Sequence, residues 1–110
     1  MHITMVKKIL MDGSPCKKCG EVLERMEAEN QMRFVDELLV ADERDPESAG
    51  MQLAARLSVD RAPFFVVTAN DGTQTVHTVY LKFVKEVLAT AVSEKDELRE
   101  IMNNENLDFL

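Results

Sequence analysis

The apolar positions of the chain fall into short runs and helical repeats that predict an alternation of strands and helices. The predicted strands are the aliphatic or aromatic runs Ile3–Met11, Phe34–Val40, Phe64–Thr68 and Thr75–Val79. The predicted helices, in which apolar residues recur every three or four positions, run from Cys16 to about Asn30, from Asp45 to about Ser58, and from Tyr80 or Leu81 to about Val92. The capping-box pattern Ser93–Asp96 predicts a further helical segment to Met102, and Asn103–Leu110 is interpreted as a loosely held tail.

Cap and turn residues predict where these elements begin and end. Ser14 is expected to cap the first helix, with Pro15 in the first helical position, where a missing N–H costs nothing. Asp45 and Pro46 repeat this start signal for the second helix. Asn70-Asp71-Gly72 offers positive-φ residues for a tight hairpin between the last two strands.

The order of the predicted elements is β-α-β-α-β-β-α plus a terminal helix, which is typical of an α/β domain with a mixed four-stranded sheet flanked by helices. Right-handed crossovers predict that the first three strands are parallel and that the fourth is antiparallel. The chain has 110 residues and no internal repeat or linker. It is therefore interpreted as a single domain over residues 1–102, followed by a tail over residues 103–110.

Composition and charge narrow the range of partners. Hydrophobic residues make up 45% of the chain, with only 4 Gly and 3 Pro, which excludes disordered and collagen-like classes. No apolar run approaches the roughly 18 residues that span a bilayer, and the first residues lack the order of a signal peptide, so a cytoplasmic protein is expected. The formal net charge of −7 argues against nucleic acid or an anionic membrane as the main partner.

The two cysteines carry the most specific chemical signal. Cys16 and Cys19 are separated by two residues at a predicted helix start, a spacing that can close a small disulfide ring. We expect Cys16 to face solvent, where free N–H donors and the helix dipole favour its thiolate, and Cys19 to face the core. Lys17 and Lys18 are expected to lower the thiol pKa further. Cys16 is then the nucleophile and Cys19 the resolving thiol, although small core cysteines or half of a metal site remain alternatives.

This element order, with C-x-x-C between the first strand and the first helix, resembles the thioredoxin and glutaredoxin superfamily. A second landmark is Pro63, which follows Val59 by four residues and directly precedes the strand Phe64–Thr68, as in the cis-proline loop of that superfamily. The resemblance covers roughly residues 3–88 and implies a thioredoxin-like fold with a C-terminal helical extension. It also implies that Pro63 is cis and packs against the cysteine pair, where it excludes metal, and that the Ala62 backbone pairs with an extended substrate segment.

Several residues depart from the usual patterns of these families. Thioredoxins usually have Trp before the first cysteine and Gly-Pro between the pair, whereas this chain has Pro15 and then Lys17-Lys18. Glutaredoxins commonly have Thr before the cis-proline and Gly-Gly after the fourth strand, where this chain has Ala62 and Val79-Tyr80-Leu81. These departures argue against glutathione binding and leave the electron donor unassigned.

The sequence as a whole predicts a monomeric thiol–disulfide oxidoreductase that reduces protein disulfides, needs no cofactor beyond a redox-active disulfide, and depends on a reductase partner. The substrate would lie along Ala62 and Pro63, and Lys17 and Lys18 would favour a partner with acidic residues near its cysteine. One alternative is a redox-inert or redox-sensing interaction module that uses the Phe64–Val79 hairpin or the terminal helix.

Another alternative is zinc or an iron–sulfur cluster held by the cysteines of two chains. His2 and His77 could in principle complete a four-ligand site with the two cysteines. Because ligand spacing is absent, both are interpreted as ordinary histidines, and no metal site is predicted.

Overall fold

The computed structural model describes residues 1–89. Its strands are β1 (His2–Ile9), β2 (Glu37–Asp42), β3 (Phe64–Thr68) and β4 (Gln74–His77), and its helices are α1 (Lys17–Ala28), α2 (Ala49–Leu57) and α3 (Tyr80–Phe83). A 3₁₀ turn at Met32–Phe34 precedes β2, and α3 continues as a π-helix over Val84–Leu88. The helical segment predicted to Met102 and the tail at 103–110 lie outside the described residues.

The four strands form one mixed sheet in the order β2-β1-β3-β4. β1 is parallel to β2 and antiparallel to β3, and β4 is antiparallel to β3. The prediction that the third strand is parallel to the first is therefore wrong. Phe64, the first residue of β3, pairs with Val6 near the carboxyl end of β1, so the chain enters the sheet at that end and runs back. A parallel crossover would have had to enter at the amino end of β1.

Helices cover both faces of the sheet, as predicted. On one face, α1 and the helix that begins with α3 pack on a core of buried side chains: Ile3, Met5, Val22, Met26, Phe34, Phe65, Phe83, Val87 and Leu88. On the other face, α2 packs on Val6, Ala41, Phe64 and Val66. Phe65 and Phe83 stack with ring centroids 4.0 Å apart, which fixes α3 against the central strand β3. Within residues 1–89, no helix has the length and apolar character needed to cross a membrane.

The start of α1 differs from the prediction. Its N-cap is Cys16, and not Ser14, because the residues before it are held in a different local structure. Both the N–H and the hydroxyl of Ser14 donate to Oδ1 of Asp12, at 2.9 and 2.6 Å. Pro15 pairs with Ile9, the last residue of β1, in an isolated antiparallel bridge. It therefore belongs to the loop that folds back on β1 and does not begin the helix.

The other predicted boundaries shift for similar local reasons. The second helix begins after Ser48 and not at Asp45. The N–H and the hydroxyl of Ser48 both donate to the carbonyl of Asp45, so these residues form a turn that precedes the helix. β2 begins three residues after Phe34, which lies in the 3₁₀ turn. In the hairpin turn only Gly72 has a positive φ, of 92°, among the three residues predicted to supply it.

Candidate dithiol site

One residue of β1 anchors both cysteines. The N–H of Cys16 donates to the carbonyl of Lys8 at 3.1 Å, and the N–H of Lys8 lies 3.4 Å from Sγ of Cys19. Cys16 is half-buried, whereas Cys19 is only 2% exposed, so the predicted burial of Cys19 is confirmed. Both are free thiols. The pair therefore lies at the carboxyl end of β1, with one sulfur partly accessible and the other covered.

The local structure of α1 brings N–H donors to the more accessible sulfur. Cys16 has extended backbone angles, with φ −66° and ψ 125°, as the N-cap of a helix requires. Its Sγ accepts a hydrogen bond from the N–H of Cys19 at 3.4 Å, and its carbonyl accepts the N–H of Gly20 at 3.1 Å. The free amides at a helix start carry partial positive charge, which stabilises a thiolate at this position.

The pKa of Cys16 lies below its ordinary value. Partial burial acts to raise this pKa, but it is outweighed by hydrogen bonds from the Cys19 backbone, the Cys19 thiol and the Lys18 backbone, together with the positive charge of Lys8. The predicted preference of Cys16 for the thiolate therefore agrees with its surroundings.

Cys19 shows the opposite behaviour. Burial, and to a smaller extent the neighbouring Cys16, raise the pKa of Cys19 to about 11, although the N–H and the charge of Lys8 act to lower it. The two thiols are thus unequal: near neutral pH Cys19 keeps its proton and can donate it toward the Cys16 sulfur.

The lysine that acts on Cys16 through its charge is Lys8. Lys17 and Lys18, predicted to do so, are both exposed, and Lys18 contributes through its backbone N–H. Ammonium groups in solvent are screened by water and salt, which weakens their effect on a nearby thiol. Lys17 and Lys18 remain candidates for contact with a partner.

The Ala62–Pro63 peptide bond is cis, which confirms the expectation from the cis-proline resemblance. Pro63 is buried and Ala62 half-buried. Since Phe64 pairs with Val6, this loop reaches the sheet near the same end of β1 that holds the cysteines. Direct packing of Pro63 on the cysteine pair, its exclusion of metal and substrate pairing at Ala62 stay predictions.

A groove of about 310 Å³ opens beside the cis-proline loop. Its lining combines apolar residues of α2 and the sheet with four charged residues, and consists of Lys8, Ala41, Glu43, Met51, Ala54, Ala55, Val59, Asp60, Arg61, Ala62 and Phe64. Lys8 therefore belongs both to this groove and, through its backbone, to the dithiol site. Sequence reasoning missed Lys8 and Glu43 as site residues. The available signal for Lys8 was the pair of lysines, Lys7 and Lys8, inside a largely apolar strand.

The two histidines are not brought to the cysteines. His2 lies at the amino end of β1, the end away from the dithiol, with Nε2 3.3 Å from Oε1 of Glu37. Nδ1 of His77 on β4 lies 4.0 Å from Oε1 of Glu86. Across residues 1–89, no group of three or more His, Cys, Asp or Glu side chains is arranged to hold a metal ion.

Comparison with known proteins adds no relative: no protein-family model, no curated protein and no solved structure matches the chain.

Proposed function

We propose that this protein is a thioredoxin-like thiol–disulfide oxidoreductase that reduces protein disulfides, with Cys16 as the nucleophile and Cys19 as the resolving thiol. The observation that carries the proposal is the inequality of two thiols one helical turn apart, one partly accessible with a lowered pKa and one buried with a pKa of about 11. The mixed sheet with helices on both faces and the cis Ala62–Pro63 bond are compatible with a thioredoxin-like fold.

The first step is nucleophilic attack. The Cys16 thiolate attacks one sulfur of the substrate disulfide, the substrate S–S bond breaks, and the other substrate sulfur leaves as a thiolate that takes up a proton from water. The product is a mixed disulfide between Cys16 and the substrate. The helix-start amides that favour the Cys16 thiolate at neutral pH increase the fraction of protein ready to react.

The second step is resolution by Cys19. Once Cys16 is bonded to substrate, it no longer raises the pKa of Cys19 by its charge or by the hydrogen bond between the thiols, although burial, the larger cause, remains. Cys19 then loses its proton more readily and attacks Sγ of Cys16, which releases the second substrate sulfur as a thiol. The substrate has gained two electrons, and the protein carries a Cys16–Cys19 disulfide.

A protein disulfide in an extended segment is the proposed substrate, with its backbone along Ala62 and Pro63. Lys17 and Lys18 are exposed beside the cysteines and favour partners with acidic residues near the reacting disulfide. Turnover requires a dithiol reductant to reopen the Cys16–Cys19 disulfide, which in the cytoplasm would be a reductase partner.

The test is reduction of insulin disulfides with dithiothreitol as the reductant, for the wild type, Cys16→Ser and Cys19→Ser. The proposal expects the rate above background to be lost in Cys16→Ser. It expects Cys19→Ser, mixed with insulin in the absence of dithiothreitol, to accumulate the mixed disulfide. If the wild type is folded but adds nothing to the dithiothreitol rate, the oxidoreductase proposal fails, and a redox-inert or redox-sensing interaction module becomes the better account.

A further inference from the structure

Lys8 connects the two thiols to the groove beside the cis-proline loop. Its N–H contacts Cys19 Sγ, its carbonyl accepts the N–H of Cys16, and its ammonium lies 3.4 Å from Oε2 of Glu43. The Lys8 and Glu43 side chains are 23% and 30% exposed, so the pair is partly shielded from water. The charge of Lys8 also acts to lower the pKa of Cys16, and a partly shielded charge is screened less than one at the surface.

Glu43 is itself held in place by the two segments that lead to the cysteines. Its N–H donates to the carbonyl of Ile9 at 2.9 Å, and its Oε1 accepts the N–H of Met11 at 3.1 Å. Glu43 therefore contacts the end of β1 through its backbone N–H and the loop that precedes Cys16 through its carboxylate. Its second oxygen remains directed at Lys8.

Other charges lie near this pair. Asp60 and Arg61, from the loop after α2, line the same groove as Lys8 and Glu43, and both are exposed. On α1, Lys17 and Lys18 are exposed as well. Lys8 and Glu43 form the partly shielded ion pair that is tied by hydrogen bonds to the dithiol site.

We infer that Lys8 and Glu43 act as opposed positioning residues that set the reactivity of Cys16: the Lys8 ammonium promotes it, and the Glu43 carboxylate restrains it by pairing with that ammonium. The inference rests on the proposed role of Cys16 as the nucleophile. It assigns to a residue on β1 and a residue just after β2 a function that sequence spacing did not indicate.

The sign of each effect follows from the charges. A thiolate gains from a nearby positive charge, so removal of the Lys8 charge disfavours it. Removal of the Glu43 charge leaves the Lys8 ammonium unpaired, so the thiolate is favoured. The two substitutions therefore act in opposite directions. Loose packing or a damaged fold would instead change both variants in the same direction.

The test measures alkylation of Cys16 by iodoacetamide from about pH 5 to about pH 9, in a Cys19→Ser background so that one thiol reacts. At the acidic end, Lys8→Met is expected to react about two- to fivefold more slowly and Glu43→Gln about two- to fivefold faster, as for partly exposed ion pairs. The rates should converge as the pH rises and the thiolate becomes the dominant form in each variant.

Matched variants separate charge from structure. Lys82→Met removes an exposed lysine of α3 that does not line the groove, and it should leave the alkylation profile unchanged. Lys8→Arg keeps the positive charge and should give the same alkylation profile as Lys8 itself. The inference is overturned if Lys8→Met and Glu43→Gln shift the profile in the same direction, if neither shifts it, or if Lys82→Met matches Lys8→Met.

This experiment separates the inference from the proposed function. Alkylation needs no substrate disulfide and no turnover. Opposite shifts in a protein that does not reduce insulin would support the electrostatic pair while the oxidoreductase proposal fails. Unchanged alkylation profiles in a protein that reduces insulin would overturn the pair alone.

Discussion

The N–H of Cys19 donates to Sγ of Cys16 across the first turn of α1, at 3.4 Å. The first cysteine of the pair is thus the cap of the helix, and the second supplies the capping hydrogen bond. The same sulfur that would attack a substrate disulfide also satisfies a free amide at the helix start. Formation of the thiolate and stability of the helix start are therefore coupled.

Replacement of Cys16 tests this coupling. Serine is a stronger cap than a thiol, so Cys16→Ser should keep or slightly increase the free energy of unfolding, whereas Cys16→Ala should lose about 0.5–1 kcal/mol. Urea unfolding monitored by circular dichroism measures both. Equal stability of the serine and alanine variants would show that the sulfur does not act as a cap. The expected result would also establish Cys16→Ser as a folded variant for activity assays.

The stability of the reduced protein should fall in alkaline solution because of Cys19. Its pKa is raised from an ordinary value of 9.0 to about 11, so the native state keeps a proton that the unfolded state loses. The Cys19 contribution is fully present below about pH 9 and is lost as the pH rises through about 11. The total loss from this group is about 2 to 3 kcal/mol.

Urea unfolding in the presence of a phosphine reductant, at steps of pH between these two values, measures this loss. The lowered pKa of Cys16 has the opposite sign: its contribution grows as the pH rises toward 9.0 and is constant above it. Cys19→Ala should therefore flatten the alkaline decline, and Cys16→Ala should retain a decline. The same steep decline in Cys19→Ala would contradict the assignment.

Two glycines make a matched pair for the packing of α2. A Cβ at Gly50 would lie 2.4 Å from the backbone N of Ala41 on β2, so Gly50→Ala must push the helix from the sheet. The expected cost is about 2 kcal/mol or more. Apart from its chain neighbours and the backbone of its own helix, Gly20 in α1 has no atom within 4 Å of such a Cβ, and Gly20→Ala should stabilise the protein by up to about 1 kcal/mol. Thermal unfolding of both variants measures the difference, and a neutral Gly50→Ala would contradict the close approach.

Local sequence signals predicted the positions of the strands along the chain better than the directions of the strands within the sheet. β3 has the bounds expected from the apolar run Phe64–Thr68, because Pro63 and the hairpin turn enclose it. Its direction depends on where the loop after α2 enters the sheet, which is fixed by the pairing of Phe64 with Val6. That long-range contact has no counterpart in the local pattern, so the parallel crossover rule gave the wrong orientation.

The residues of the candidate site also include some that the sequence indicated and some that only the fold brings together. The C-x-x-C spacing and the proline before β3 indicated Cys16, Cys19 and the cis Ala62–Pro63 bond from the sequence. Lys8 and Glu43 come together because β1 and β2 pair in parallel, with Ile9 opposite Asp42. Proximity that arises from strand register cannot be found from spacing along the chain, and Lys17 and Lys18 were therefore overestimated because they are neighbours in sequence.

The most direct test of the account is a single turnover without added reductant. Fully reduced wild-type protein is mixed with an equimolar amount of oxidised insulin, and both are analysed by mass spectrometry after an acid quench. The account predicts that the protein loses about 2 Da as the Cys16–Cys19 disulfide forms while one insulin disulfide becomes two thiols. It predicts no such exchange in the Cys16→Ser variant. The central claim would be contradicted if, after mixing, the wild-type protein still had both thiols and the insulin disulfides were still intact.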